Sequence, residues 1–265
     1  MRLRNSAAVL AFLLTCAPSL RAQKPDEAEL QGLWTEQAQN PSGHATLARE
    51  AAAFEQRFPA SPLVPVARGL GAWNLLEAGN ADEARQLFEK MTADTSPTGA
   101  IGAEMARHWL TRLDRDQVVA ALQQIYGQDL EYPETLAPVS GLPAPQRPPM
   151  ADRWGVAWAY TPAAFKVLQT GDRQTYVLES TNLAANSDLT TALAQPYGNG
   201  FTFKAAQVMP PIAGKTVVMF RDATGRTMAI SEGDASSDLG FAYAGETFLV
   251  LSNGDYWSLQ PRPSP

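Results

Sequence analysis

A proline-rich stretch in the middle of the chain sets the strongest limit on its fold. Six prolines fall within "YPETLAPVSGLPAPQRPP", which spans residues 132–149. Proline lacks a backbone N–H and biases the preceding residue towards extended backbone, so a long helix is excluded here. The pattern predicts that residues 132–150 form an extended, semi-rigid linker between two halves of different structure.

The half before the linker has a helical pattern. Residues 23–131 are rich in Ala, Leu, Glu, Gln and Arg, and apolar residues such as Leu47, Ala51 and Phe54 recur every three or four positions. Short breaks divide the pattern into six predicted helices, near residues 26–38, 43–57, 63–78, 81–93, 99–113 and 116–126. Because short loops make neighbouring helices antiparallel, the six helices are expected to pair into three hairpins.

One hairpin carries a recognisable local pattern, "ARGLGAWNLLEAGNADEARQLFEKMTADTSP" at residues 67–97. Gly79 permits the left-handed backbone that ends a helix. The small side chain of Ala84 lets two helices approach closely, and Phe88, one turn later, fills the remaining gap. The stretch resembles a tetratricopeptide repeat, in which a small residue stands on the first helix where Ala72 is here. The whole of residues 26–126 resembles such repeats more weakly. An unrelated helical bundle is the alternative.

The resemblance implies stacked hairpins with a groove that binds a protein or peptide. In the pattern of that family, Trp73 and Glu77 face the groove, followed one repeat later by Arg107 and Thr111. These four residues are the candidate binding residues. Trp73 has an alternative assignment to the hydrophobic core because of its bulk.

The half after the linker changes to a strand pattern rich in Val, Thr, Phe, Tyr and Trp. Strands are predicted at residues 154–160, 163–169, 174–180, 200–208, 215–222, 226–233, 246–252 and 255–260. Residues 182–197 are expected to hold one helix. "SNGD" at residues 252–255 predicts a two-residue hairpin turn with both central residues at positive φ. The predicted fold class is therefore α+β, with helical hairpin repeats followed by a small, mostly antiparallel β domain.

The end of the β half has a second, fainter likeness. A glycine–aspartate turn and a hairpin with spaced apolar residues resemble the β domains of type II secretion and type IV pilus assembly proteins. The residues that carry the likeness are Gly233, Asp234, Val250, Leu251, Gly254 and Leu259. The resemblance implies docking to other proteins of the bacterial envelope.

The N-terminus has the pattern of an export signal. Arg2 and Arg4 precede an apolar run at residues 7–17, and Ala22 offers a cleavage site before Gln23. We predict a signal peptide over residues 1–22 and a periplasmic or secreted protein. A lipid anchor at Cys16 is the less favoured alternative. The predicted divisions are then residues 23–131, 132–150 and 151–260, with a disordered tail at 261–265.

Charge and composition narrow the possible functions. The net charge is −6, and residues 1–22 contain three arginines and no acid, so the chain from Gln23 carries −9. An acidic net charge argues against a nucleic-acid partner, because binding phosphates needs basic patches. His44 and His108 are the only histidines. His44 is expected to be solvated and His108 to be a packing or surface residue. Neither belongs to a catalytic or metal-binding pattern.

These observations favour a non-enzymatic adaptor with a protein or peptide partner, no cofactor, no metal and no nucleic acid. One alternative is an accessory protein of a secretion or pilus assembly system that docks through the β domain. Another is a hydrolase whose site lies in the β domain and uses acidic residues such as Glu179 or Asp188.

Overall fold

The computed structural model describes residues 23–167, 171–183, 188–198, 200–237 and 239–263. The predicted signal peptide and Cys16 lie outside these residues. Within them, helices precede antiparallel sheets, which confirms the predicted α+β class.

Five longer helices form the first part of the fold. They are α1 (Pro25–Gln39), α2 (His44–Arg57), α3 (Val64–Glu77), α4 (Ala81–Thr92) and α5 (Pro97–Asp129). From α2 onwards, each helix packs against the next, and α3 also contacts α5. The first four helices lie within a few residues of their predicted positions.

The prediction of two helices at residues 99–113 and 116–126 is wrong, because α5 is continuous through both. The expected break at "LDRD" contains neither Gly nor Pro, so nothing in the backbone requires a turn. Asp114 is fully buried and accepts hydrogen bonds from Arg85 (2.6 Å) and Arg153 (3.0 Å). Its charge therefore serves a tertiary ion-pair cluster within the helix and does not cap a helix end.

The α3–α4 hairpin has the local geometry expected from its sequence. Gly79 lies in the left-handed region at φ 80°, and its N–H donates to the carbonyl of Leu76. Ala72, Ala84 and Phe88 are all fully buried. The hairpin is thus built as the residues predict, while its relation to the tetratricopeptide family stays a prediction.

The proline-rich stretch is not simply extended. It contains a short helix, α6 (Ala137–Ser140), and a 3-10 turn (Ala144–Gln146). Val139 of α6 is fully buried in a cluster with Val118 and Leu122 of α5. Trp158 packs in the same cluster and donates to the carbonyl of Pro149 (2.8 Å). The expectation of an extended linker is wrong here because apolar residues between the prolines pack against α5.

The strands form three antiparallel sheets. A ribbon consists of β1 (Ala159–Val167) and β2 (Gly171–Glu179), and a three-stranded sheet of β3 (Lys204–Ile212), β4 (Lys215–Arg221) and β5 (Thr227–Ser231). A four-stranded sheet has the order β6 (Asp234–Ala235), β7 (Gly240–Ala244), β8 (Phe248–Ser252), β9 (Trp257–Pro261). The helix expected within residues 182–197 is α7 (Leu189–Leu193).

Two strand predictions need correction. Residues 154–160 and 163–169 were expected to be separate strands, but the chain turns at 153–155 and one strand, β1, begins at Ala159. The strand β7 was missed, because "GFAYA" is short and begins with glycine. The prolines within β1 and β3 fit their positions, since both strands lie at sheet edges, where a missing N–H breaks no ladder.

The four-stranded sheet is the middle layer of three. Along β8, Phe248 and Val250 face the helices, while Leu249 and Leu251 face the three-stranded sheet. All five residues of β8 are buried. Successive side chains on a strand point to opposite faces, so β8 contributes to two hydrophobic cores at once.

An indole from the C-terminal strand joins the helices to the β part. Trp257 of β9 is fully buried and lies against Gly69 of α3 and Gly102 of α5. A Cβ at Gly69 would lie 2.6 Å from the indole Nε1, and one at Gly102 would lie 3.2 Å from Cζ2. Glycine at these helix positions therefore makes room for the indole. Helical and β residues form one continuous core, and the boundaries of separate domains stay a prediction.

The turn after β8 differs from the predicted two-residue turn. Of the central pair, Gly254 has positive φ (91°) and Asn253 does not. The side chain of Asn253 instead accepts hydrogen bonds from the N–H groups of Asp255 (3.1 Å) and Tyr256 (2.9 Å). At the C-terminus, Arg262 was placed in a disordered tail, but its N–H donates to the carbonyl of Thr247 (2.9 Å).

Candidate functional site

A cleft of about 500 Å³ opens where α1, α2 and α3 meet the segment after α7. We call it the aromatic cleft. Its lining consists of Trp34, Gln37, Ala38, Pro41, His44, Trp73, Glu77, Leu193, Ala194, Gln195, Pro196 and Tyr197. It therefore contains the first two of the four binding residues predicted from the sequence, Trp73 and Glu77.

Helical spacing brings the lining residues to one place. Trp73 and Glu77 are four residues apart on α3, and Trp34 and Ala38 are four apart on α1, so each pair shares one helix face. Tyr197 comes from the loop after α7 and closes the remaining side. Three sequence-distant segments therefore build the cleft.

Aromatic rings pack edge to face around Tyr197. The ring centroid of Tyr197 lies 5.5 Å from that of Trp34 and 4.9 Å from that of Trp73. His44 lies edge-on to Trp73 at 5.7 Å. Such contacts add to the packing energy and hold the rings in fixed orientations. Burial strongly raises the pKa of the Tyr197 hydroxyl, so this residue stays neutral at physiological pH.

A buried amide holds the back of the cleft. Asn74 is fully buried, and its Nδ2 donates to Gln37 Oε1 (2.8 Å) and to the carbonyl of Leu70 (3.0 Å). Its Oδ1 lies 3.0 Å from Nδ1 of His44. With both amide hydrogens committed, this contact requires a proton on His44 Nδ1, so neutral His44 has Nε2 as an acceptor. His44 was expected to be solvated, but it is a partly buried member of the cleft.

Glu77 carries the negative charge of the cleft. Burial raises the pKa of its carboxyl, and the nearby charge of His44 acts in the opposite direction. Within the described part of the chain, Glu77 forms neither an ion pair nor a side-chain hydrogen bond. The carboxylate is thus partly removed from water without a hydrogen-bond or ion-pair partner among the described residues, and the charge of His44 offsets only part of the effect of burial.

A second depression continues from the aromatic cleft. It has a volume of about 570 Å³ and lies between α1 and the C-terminal strand β9, and we call it the adjacent groove. Trp34 and Ala38 of α1 line both the cleft and the groove. The rest of the groove is lined by Gln31, Thr35, Gln39, Thr247, Phe248, Leu259, Gln260 and Pro261. The two depressions are therefore neighbours on either side of Trp34 and Ala38.

The other two predicted binding residues lie elsewhere. Thr111 has 0% exposure, and its hydroxyl accepts a hydrogen bond from the N–H of Arg153 (3.2 Å). Arg107 is partly exposed and pairs with Glu104 (2.6 Å). Neither lines the aromatic cleft. The groove expected along α5 is occupied by the chain itself, because residues after the proline-rich stretch and the β8–β9 loop cover it.

The β8–β9 loop is fixed to α5 by charge. Asp255 lies 3.0 Å from His108 Nδ1 and 2.7 Å from Arg112 Nη2, and its carbonyl accepts from the indole of Trp109 (2.7 Å). Burial raises the pKa of Asp255, but the hydrogen bond with His108 and the charge of Arg112 outweigh it and hold the pKa below its usual range. His108 was expected to be either a packing residue or a surface residue. It packs against the β8–β9 loop through Asp255.

The two acidic residues considered for hydrolysis lie at the end of β2 and at the start of α7. Glu179 is exposed at the end of β2. Asp188 caps α7 by accepting from the N–H of Thr191 (2.7 Å) and pairs with Arg115 (3.1 Å). In the described residues, no three His, Cys, Asp or Glu side chains come together as metal ligands. No helix in the same part of the chain is long and apolar enough to span a membrane.

Comparisons with known proteins add no relative. No protein-family model matches this sequence, and no curated protein or solved structure is significantly similar to it.

Sequence reasoning missed Trp34, His44 and Tyr197 as members of the site. Trp34 lies in a helix whose polar and apolar residues are weakly segregated, and Tyr197 follows a short helix in an irregular segment. Nothing local marks either residue as a neighbour of Trp73. A partial signal existed for His44, which begins a helix and lies 29 residues before Trp73 in the neighbouring helical hairpin.

Proposed function

We propose that this protein is a non-enzymatic binding protein that acts outside the cytoplasm and holds a segment of a partner protein in the aromatic cleft. The observation that carries the proposal is the convergence of Trp34, Trp73 and Tyr197 with one acidic residue in a single cleft. Aromatic side chains supply large contact areas with little loss of conformational entropy, which is why they dominate protein-binding sites.

The shape of the site supports an extended partner. The adjacent groove continues from the cleft across Trp34, so a bound segment has two neighbouring depressions to fill. The groove wall carries amide and hydroxyl groups, including Gln31 and Thr247, which suit the polar backbone of a peptide.

The chemistry of the lining supports binding over catalysis. The described residues that line the cleft include no Ser, Thr, Cys or Lys that would serve as a nucleophile. His44 Nδ1 is engaged with Asn74, and the pKa of Tyr197 is strongly raised. What the cleft offers a ligand is aromatic surface and one carboxylate.

Export rests on the N-terminal pattern of Arg2, Arg4 and the apolar run before Ala22. The expected outcome is a protein recovered from the periplasm or medium whose first residue, by mass spectrometry of the intact chain, is Gln23. Recovery of the chain in the cytoplasm with Met1 intact would contradict this part of the proposal. A diacylated N-terminal Cys16 would support the lipid anchor.

The binding function is tested by selecting peptides from a random library against the purified protein. Trp34→Ala should weaken the selected peptides about tenfold or more, since aromatic residues at the centre of an interface often contribute that much. Trp154→Ala is the matched control. Trp154 is also a partly buried tryptophan, but it lies against His108 (5.2 Å) and outside the cleft. Equal loss in both variants, or no selectable peptide, would overturn the proposal.

A further inference from the structure

Glu77 differs in its pairing from the buried acids Glu27, Asp114 and Asp152. The fully buried carboxylate of Glu27 accepts from Tyr243 (2.8 Å) and from the N–H of Glu246 (2.9 Å). Asp114 pairs with two arginines, and Asp152 accepts from Ser180 (2.7 Å) and Asn182 (2.8 Å). Each of these carboxylates is compensated within the protein, as buried charges usually are.

Glu77 has no such compensation. Its pKa is raised by burial, and no described residue donates a hydrogen bond to its carboxylate. A carboxylate that is partly removed from water without a partner raises the free energy of the folded protein. A bound cation would offset that cost. A positively charged group in the cleft would supply the missing partner.

The aromatic rings beside Glu77 also favour a positively charged ligand. Trp34 and Tyr197 are the partly exposed rings of the cleft, while Trp73 packs behind them with 3% exposure, as its alternative core assignment had it. Aromatic faces attract cations through their quadrupole. Tryptophan is the strongest of the natural side chains in this respect.

The overall charge also agrees. The chain has a net charge of −6, and the described residues that line the cleft include no lysine or arginine to repel a basic ligand. Among the described residues, His44 is the basic group whose charge acts on Glu77. Long-range attraction would therefore bring a basic segment towards the protein, and the cleft would accept its charge.

We infer that the aromatic cleft binds a lysine or arginine side chain of the partner, placed among Trp34, Trp73 and Glu77, with the adjoining backbone in the adjacent groove. This inference rests on the proposed function. A free quaternary amine has the same cationic chemistry, but it would leave the groove beyond Trp34 unfilled, so a peptide is the assigned source.

The test is a titration followed in ¹H–¹⁵N spectra by the indole signals of the six tryptophans. The probes are the capped peptides acetyl-Gly-Gly-Lys-Gly-Gly-amide, its norleucine and glutamate analogues, and tetramethylammonium chloride, all at constant ionic strength. The lysine peptide should shift the indoles of Trp34 and Trp73 and saturate, while the indole of Trp154 stays unchanged. The norleucine and glutamate peptides should bind at least tenfold more weakly.

Two variants separate charge from shape. Glu77→Gln should weaken the lysine peptide about tenfold, because the glutamine keeps the shape but loses the charge. Glu83→Gln, which removes an equal charge from an exposed position on α4, should leave the affinity unchanged.

The outcomes distinguish the inference from the function beneath it. Equal binding of the lysine and norleucine peptides in the cleft would overturn the cation inference and leave the binding function standing. Shifts by tetramethylammonium alone would overturn the peptide source. If no probe moves the indoles of Trp34 and Trp73, and the library also yields no peptide, both proposals are wrong.

Discussion

The helical layer is covered by other parts of the chain along α5 and is open along α1 and α3. The acidic side chains of the two regions differ in whether they have partners. The β8–β9 loop and the residues after the proline-rich stretch cover α5. Asp114, Thr111 and Arg112 of α5 each have a hydrogen-bond or ion-pair partner there. Along α1 and α3, the chain leaves a cleft, and there Glu77 has no hydrogen-bond or ion-pair partner among the described residues.

The difference between the two regions indicates which surface of the helical layer is suited to a ligand. Both regions contain tryptophans, histidines and acids, so residue type alone does not separate them. The difference lies in the pairing of the acids, because Asp114 and Asp255 in the covered region have ion-pair partners within the described part of the chain and Glu77 does not. Substitutions in the covered region should therefore affect stability more than substitutions in the aromatic cleft.

Removing the central indole should damage the covered region most. Trp257→Ala deletes a fully buried side chain between Gly69 and Gly102 and should lower the free energy of unfolding by about 3–5 kcal/mol. Trp34→Ala, at the partly exposed rim of the cleft, should lower it by only about 1–2 kcal/mol. Urea unfolding measures both. Equal losses would break the comparison.

Removing the charge of Asp255 should be the next largest effect. Asp255→Asn takes a carboxylate from the buried Arg112 and should lower the free energy of unfolding by roughly 3 kcal/mol at pH 7. Since the folded pKa of Asp255 is lowered, its contribution is present above the ordinary aspartate pKa and is lost as pH falls through the folded pKa. Unfolding curves of the two proteins should therefore converge in acid. A difference that is constant with pH would contradict the ion pair.

The two classes of helical glycine should respond in opposite directions. Gly69→Ala places a Cβ 2.6 Å from the Trp257 indole and should cost about 1–3 kcal/mol through overpacking. Gly32 of α1 is exposed with no atom within 4 Å of the added Cβ, so Gly32→Ala should stabilise by about 0.5–1 kcal/mol. Thermal unfolding of both variants decides the matter, and destabilisation by Gly32→Ala would count against the packing described for α1.

The smallest stability effect is expected at Glu77, where the effect on binding is large. Because burial raises the pKa of Glu77, the folded protein binds this proton more readily than the unfolded chain does. Ionised Glu77 therefore opposes folding once pH exceeds its folded pKa, and Glu77→Gln should be equally or slightly more stable at pH 7. The two proteins should differ less as pH falls below 4.5, the ordinary pKa of this group. Clear destabilisation by Glu77→Gln would show that the carboxylate has a structural role.

The parts of the fold that depend on local pattern could be predicted. Gly79, Ala84 and Phe88 specify the α3–α4 hairpin within ten residues, and the change from helical to strand pattern gave the α+β class. The continuity of α5 could not be predicted in the same way, because Asp114 resembles a capping residue until Arg85 and Arg153 are seen beside it.

The candidate site was only half predictable for the same reason. Trp73 and Glu77 follow from the spacing of one helix. Trp34 and Tyr197 join them through contacts across 39 and 124 residues of sequence, respectively, which no periodicity reports. Thr111 failed as a binding residue because Arg153, distant in sequence, covers it. Whether a side chain is paired or covered depends on residues that are distant in sequence, so it cannot be read from a local pattern.

A crystal structure of the protein with a library-selected peptide bound would show directly what the aromatic cleft holds. A lysine or arginine side chain should lie among Trp34, Trp73 and Glu77, with the peptide backbone continuing along the adjacent groove past Thr247. A peptide seated on the β1–β2 ribbon or on the three-stranded sheet, with the aromatic cleft left unoccupied, would contradict this prediction.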